Sequence, residues 1–366
     1  MKTRRVFVKQ STQLGIAGIL STFKAPAFAR DMKMVKIGQL GLGSHNFTSQ
    51  FKSPAAKYKS TIKCRPYAVW DDVPGLAEKM KERMGFEKAV KDPVELVNEA
   101  DVVHVEHVDN RKVLELARPA LEAGKPVFIN RPFTASVADA EEVVRLARAH
   151  NAPLMSASSL EFQPEVSEIN KFAEEKGPVR SYMAYCPEPF FTWMFPHVIN
   201  YAHAALGGGI ESAYFSGDFI LKMGDISYTN GKFVDPERPY GSAVSILKYK
   251  SRNGEPPIIG MNHIGQPPGT YNIYVYAYEE SRNFVSGSHK NLTNIFEYML
   301  MTINDFYVNR KPPRPYEAIL EQHRALVATN LSRLSGKAVK LDSLKGRDAL
   351  PYHDSFKEHV MRSFVP

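Results

Sequence analysis

The sequence predicts an α/β protein in two parts: a parallel sheet wrapped by helices, then an α+β domain on an open, mainly antiparallel sheet. Three observations carry that reading. From Met34 to about residue 158, short apolar strands alternate with helical runs, the rhythm of a parallel sheet with helical crossovers. Beyond residue 159, strand-like runs follow one another through Gly, Pro and Asn turns, as in antiparallel pairing. Where the first strand gives way to a helix stand two glycines, Gly41 and Gly43, and the second strand ends in two aspartates.

Taken in order, "MVKIGQLGLG" is an apolar strand running into glycines, and the stretch after it is long enough for a helix before the strand "IKCRPYAVWDD". "GLAEKMKERMGF" has helical spacing with a terminal glycine, and "DPVELVNEA" opens on an aspartate cap followed by proline. "DVVHVEHV" is a third strand, "RKVLELARPALEAG" a helix stopped by Gly124, and "PVFIN" a buried strand. "SVADAEEVVRLARAHN" and "APLMSAS" complete this half as helix and strand. The helix "PEVSEINKFAEEKG" then precedes the strands "VRSYMAY", "IESAYFSGDF", "SAVSILKYK", "PIIGMNHIG", "YNIYVYAYEE" and "RNFVSGS". Helices return around "IFEYMLMTINDFYVN" and "YEAILEQHRALVATNLSRLSG". The resulting division is a leader over 1–30, a nucleotide-binding domain over 31–158 and a substrate and oligomerisation domain over 159–366, whose final helix can pack back on the first domain.

Composition narrows the function class. Of 366 residues, 43% are hydrophobic and 23% charged, ordinary values for a globular protein. No apolar run after the N-terminus reaches the roughly 20 residues that span a bilayer, so stable membrane insertion is not expected. The formal charge of +8 is spread among acids rather than gathered in a patch, which argues against nucleic acid. The first residues, "MKTRRVFVKQSTQLGIAGILSTFKAPAFA", join a basic start to a short apolar stretch and small residues before Arg30, the pattern of an export signal. Within it, Thr3-Arg4-Arg5-Val6-Phe7-Val8-Lys9 is similar to a twin-arginine address, so the expected location is the periplasm or another exported compartment. Cys64 and Cys186 are the only cysteines and fall in different domains, so no disulfide framework is implied.

Gly41 and Gly43 sit where a dinucleotide site needs a tight turn and a close approach of pyrophosphate to backbone amides. The third glycine of the full fingerprint is replaced by Asn46. Asp71, at the end of the second strand, has the right chemistry to accept hydrogen bonds from both hydroxyls of an adenosine ribose, and its charge would repel a 2′-phosphate. The pattern therefore predicts a Rossmann domain that binds NAD rather than NADP.

With these motifs in place the chain resembles the Gfo/Idh/MocA family of sugar and polyol oxidoreductases. The resemblance rests on "KIGQLGLG", "AVWDD", "ALEAGKPVFINRP", "FPHVINYAHAALGG" and "NLSRLSGKAVKL", and it covers nearly the whole mature chain. It implies a nicotinamide at the C-terminal ends of the parallel strands, facing a substrate laid against the second domain. Where the family carries Glu-Lys-Pro, with a lysine that helps move a proton, this chain has Asn130, Arg131 and Pro132. Arginine stays protonated, so its role here is charge and orientation. The Thr-Pro after the third strand is Val108-Asp109, while Asn110 fits the asparagine that follows. The arginine after the sixth strand is Glu161, and the catalytic-histidine segment offers His197 with Asn200 in place of an aspartate. The resemblance thus implies Arg131 and His197 as the catalytic pair, with His197 the general base. It implies a cofactor set of Gly41, Gly43, Ser44, His45, Asn46, Asp71, Asn110, Asn130 and Arg131. Glu161, Asn200 and His203 are the substrate-binding candidates.

The expected function is an exported NAD-dependent oxidoreductase acting on a secondary hydroxyl of a sugar or sugar derivative. The alternatives are a redox-neutral glycoside-cleaving enzyme with tightly bound NAD, and a sugar-binding relative without catalysis. His104, Glu106 and His107, with His197 and His203, offer metal-ligating atoms. Strand alternation points His104 and Glu106 to one face and His107 to the other, no spacing resembles a zinc pattern, and no metal is expected. No Gly-x-Ser-x-Gly elbow supports a serine nucleophile. The alternating "YNIYVYAY" strand offers aromatic side chains either to a homo-oligomer interface or to the core.

Overall fold

The computed structural model describes residues 34–42, 47–52, 59–187, 191–218, 227–229, 232–234, 242–252, 254–265, 270–288 and 292–352. The leader, together with Gly43, Ser44, His45 and Asn46, lies outside them.

The N-terminal half alternates strand and helix as the sequence predicts. In order these are β1 (Val35–Leu40), α1 (Phe47–Gln50), β2 (Cys64–Trp70), α2 (Leu76–Met84), β3 (Lys88–Ala89), α3 (Pro93–Glu99) and β4 (Val102–Val105). They are followed by α4 (Val113–Glu122), β5 (Val127–Ile129), α5 (Val137–Ala149) and β6 (Leu154–Met155). The local reasons are plain. Asp92 caps α3 by accepting from the Val94 amide, with Pro93 as the first helical residue, and Ser136 caps α5 through the Asp139 amide. The strands form one six-stranded parallel sheet in the order β3-β2-β1-β4-β5-β6. Strand order reverses between β1 and β4, so the crevice outside their C-terminal ends is the switch point where open α/β sheets bind ligands.

The second half begins with α6 (Pro164–Lys176), β7 (Val179–Cys186), α7 (Phe191–Leu206), β8 (Ile210–Asp218), β9 (Ser227–Thr229) and β10 (Lys232–Val234). It continues with β11 (Ser242–Tyr249), β12 (Ile259–Gly265), β13 (Thr270–Ala277), β14 (Ser281–Ser288), α8 (Leu292–Asn309), α9 (Tyr316–Ser335) and β15 (Val339–Lys340). Seven strands make a sheet in the order β14-β13-β7-β12-β11-β8-β15, while β9 and β10 form a separate antiparallel pair. All neighbours in the large sheet run antiparallel except β7 and β12, which are parallel, so the sheet is mixed. One face of it is core: Tyr182, Ala184, Leu247, Tyr249, Ile273 and Val275 are buried together with side chains of α6, α7 and α9. The opposite face is open. In register across six strands it presents Asn283, Tyr274, Met183, Met261, Ile246 and Tyr214. The aromatic strand therefore divides its side chains: Tyr271, Ile273 and Val275 are core, while Tyr276 is exposed on the open side.

Two helices from the end of the chain complete the first domain. Met299, Leu300, Ile303, Phe306 and Tyr307 of α8 share a core with Ile37, Cys64, Val102, Phe128 and Met155, covering one face of the parallel sheet. Helices α3, α4 and α5 cover the other face, joined by Ile319 of α9. Among the described residues, no helix is long and apolar enough to cross a membrane.

Candidate active site

The C-terminal ends of the parallel strands carry most of the predicted site. Gly41 follows β1 with φ of 87°, and a Cβ there would lie 2.7 Å from the His107 Cα, so both backbone and packing demand glycine. Asp71 follows β2 and closes the same turn. Its Oδ2 accepts from the Leu42 amide at 2.9 Å and its Oδ1 from the Val73 amide at 2.8 Å. Burial raises its carboxyl above the usual carboxylate range, opposed by those two amides and by His107. Each oxygen keeps a further lone pair, so a carboxylate held this way still accepts from sugar hydroxyls. That pair of acceptor oxygens fits the hydroxyls of an adenosine ribose.

Asp72 and His107 close the rim beside it. His107 Nδ1 lies 3.0 Å from the Asp109 amide and 3.2 Å from its carbonyl, and Nε2 lies 3.3 Å from Asp72 Oδ1. The Lys112 ammonium also binds Asp72. Ligand atoms of Asp71, Asp72 and His107 lie within 4.8 Å of one another, a spacing that could hold a metal ion. Here the Lys112 charge and the backbone amides already answer both carboxylates.

Beneath the crevice, β4 and β5 deliver a second group. Val105 and Ile129 are paired in register, so Glu106 and Asn130 emerge side by side. Asn130 Nδ2 donates to Glu106 Oε1 at 2.7 Å, and the Arg131 amide donates to Asn130 Oδ1 at 2.9 Å. Glu106 Oε2 lies 3.4 Å from His104 Nε2, and total burial pushes the His104 imidazole down to about 3, so it is neutral. Arg131 is buried, carries a charge that does not titrate, and leads into a cis bond to Pro132. Asn110 Nδ2 donates to the Thr134 carbonyl at 3.1 Å, tying the loop after β4 to the loop after β5.

The second domain reaches this edge through α7. His197 Nδ1 lies 2.6 Å from Ser158 Oγ, and Ser158 stands just beyond β6. Ser158 also opens a capping box with Glu161, whose carboxylate accepts from the Ser158 amide at 2.7 Å. Asn200 Nδ2 donates to the same Glu161 oxygen at 2.8 Å; Gln322 and Arg314 meet the other at 3.2 and 3.3 Å. Glu161 is thus a buried hub that joins the Ser158 turn to α7, α9 and the Arg314 segment. The structure gives Glu161 and Asn200 a shared structural job, because their polar atoms serve one another. His203 stands apart from His197, 3.3 Å from Glu321 on α9, and Glu321 also binds the Gly209 amide at 2.5 Å.

The structure therefore brings Gly41, Asp71, Asn110, Asn130, Arg131 and His197 to one sheet edge and sets Glu161, Asn200 and His203 into the supporting framework. Ser158 and Arg314 are participants that sequence reasoning did not single out, and it weighs Glu106 only as a metal ligand, not as the partner of Asn130. The Ser158-Ser159-Leu160-Glu161 spacing is the signal that would have found the first.

A parallel sheet with its switch point lined by a positive-φ glycine, a strand-terminal carboxylate and a buried cation has the form of a dinucleotide-binding domain. Residues 35–158 match the Gfo/Idh/MocA family model, described as Oxidoreductase family, NAD-binding Rossmann fold. Among curated proteins, the chain is 23% identical over 206 residues to a myo-inositol 2-dehydrogenase of Thermotoga maritima, covering 50% of this chain and 58% of that one. The match thus spans less than two thirds of that relative's length. Among solved structures, a scyllo-inositol dehydrogenase from Lactobacillus casei with bound NAD(H) and scyllo-inositol superposes with a TM-score of 0.64 at 15% identity. It covers 85% of this chain and 100% of its own. An oxidoreductase from Agrobacterium radiobacter in complex with NAD+, L-tartaric acid and magnesium gives 0.65 at 15% identity, covering 85% and 99%. At these identities the structural likeness shows the fold, which extends through both domains.

Proposed function

We propose that this protein is an exported NAD-dependent oxidoreductase that acts on a secondary hydroxyl of a sugar or polyol. The observation that carries the reading is the 2.6 Å link between His197 and Ser158, which binds a histidine of the second domain to the sheet edge that holds Asp71 and Arg131. Asp71 would hold the adenosine ribose, and the Gly41 turn would admit the pyrophosphate. Bound NAD supplies a hydride acceptor. His197 takes the alcohol proton. For that, its Nδ1–H must be donated to Ser158 Oγ, whose other lone pair already accepts from the Leu160 amide, so the basic lone pair lies on Nε2. The Arg131 guanidinium steadies the oxygen as negative charge develops on it, or clamps an acidic substituent of the substrate. Support for polyol chemistry comes from the inositol dehydrogenases named above.

Export by the twin-arginine route follows from the leader, which suits a protein that folds around its cofactor before leaving the cell. A second copy of the chain is the proposed occupant of the open sheet face, whose apolar row runs through Met183, Met261, Ile246 and Tyr214. The test of the activity is direct: denature the purified protein, scan the supernatant for released nicotinamide, then incubate native protein with NAD and a panel of polyols, inositols and sugar acids. NADH formation with at least one hydroxyl substrate, abolished by His197→Ala, is the expected result. Absence of bound nicotinamide, together with no rise in melting temperature on adding NAD, would overturn it.

A further inference from the structure

We infer that Glu106 is a positioning residue that sets the orientation of Arg131 through Asn130, acting at the proposed nicotinamide site. A carboxylate has only acceptors, so it compels the Asn130 side chain to turn its NH₂ group toward position 106. The amide oxygen is then forced the other way, where it accepts from the Arg131 backbone N–H. Reversal of the amide would set a donor against a donor on the Arg131 side and an oxygen against an anion on the other. Two hydrogen bonds of 2.7 and 2.9 Å thus lock the first residue after β5, and with it the point where the Arg131 chain leaves the sheet. Both anchors are buried, at 2% for Glu106 and 7% for Asn130, so water does not compete for the bonds.

The pair also explains why this chain tolerates an amide where the family pattern has an acid. The acidic partner stands one strand over, at the adjoining position of the register that pairs Val105 with Ile129. Exchange of the two side-chain types should therefore preserve the arrangement: Glu at 130 would accept from both the Arg131 amide and a Gln at 106.

The inference rests on the NAD reading given above, and the experiment separates the two. NADH is titrated into the full mature chain while its fluorescence is followed, for wild type, E106L, N130E and the exchange E106Q/N130E, with melting temperatures measured alongside. E106L is expected to weaken NADH about tenfold, the loss of one hydrogen bond to a charged group, and to shift the emission of the bound dinucleotide. N130E sets two carboxylates together, so its affinity is expected to rise as pH is lowered and one takes up a proton. The exchange should return affinity and emission to wild-type values. E106L and N130E binding NADH as wild type does, or an exchange no better than N130E alone, overturns the inference; if E106L does not fold, the N130E and exchange comparison still decides. Wild type that fails to bind NADH overturns the cofactor reading instead.

Discussion

Asp71 holds its turn and faces the crevice with one carboxylate, so the two duties can be separated by substitution. In Asp71→Ser the proposed ribose acceptor and the charge that would repel a 2′-phosphate are both lost. NAD affinity is expected to fall about tenfold or more, as for a lost hydrogen bond to a charged group, while NADP gains relative to NAD. Isothermal titration with both cofactors checks it. His323 provides a pH test. Burial pushes its imidazole down to about 4, with its Nε2 against the Ser136 carbonyl at 3.1 Å. An unfolded histidine titrates near 6.5, so between about 6.5 and 4 the unfolded chain binds a proton that the folded chain refuses. Stability is therefore full above pH 6.5 and falls as the solution is acidified toward 4, on the order of 3 kcal/mol from this group. His323→Gln should flatten that part of a melting-temperature profile against pH.

At the scale of elements, the first turn and the Ser158 turn are the two joints of the site. Gly41→Ala adds a methyl against His107 and forces a side chain into the left-handed region, so a loss of about 1–3 kcal/mol is expected together with weakened NAD binding. Removal of Arg314 leaves the Glu161 carboxylate, wholly buried as a side chain, without its cation. Arg314→Ala is expected to cost about 3–5 kcal/mol in urea unfolding, with a loss of turnover because the Ser158 turn carries His197. These joints differ in how readily sequence exposes them. Gly41 and Asp71 declare themselves because each ends a strand and local chemistry fixes the residue type. Glu106 with Asn130, and Ser158 with His197, meet across separations of 24 and 39 residues, and no periodicity reports such a pairing. Strands β3 and β15, two residues each, are too short to show alternation, and the parallel pairing of β7 with β12 depends on which neighbours the tertiary fold supplies.

For the whole molecule, the outer row of the large sheet sets the expected assembly. Met183 and Met261 are both 41% exposed and sit side by side in register, an apolar centre that a matching copy would cover. Met261→Glu should shift the mass in light scattering toward the monomer and leave NAD binding unchanged. An unaltered mass would remove this face as the interface.

The placement of α8 and α9 bears on how the chain folds. Met299, Ile303 and Phe306 seal the parallel sheet from beyond the second domain, and α9 is bound at His323 to the loop before α5 and at Glu321 to the start of β8. Residues 35–158 match a family model but are not expected to be a self-sufficient folding unit, since α8, which covers one face of their sheet, is synthesised only after the second sheet. Calorimetry of the full chain should give one cooperative transition. The excised segment, with one face of its sheet stripped, should give none.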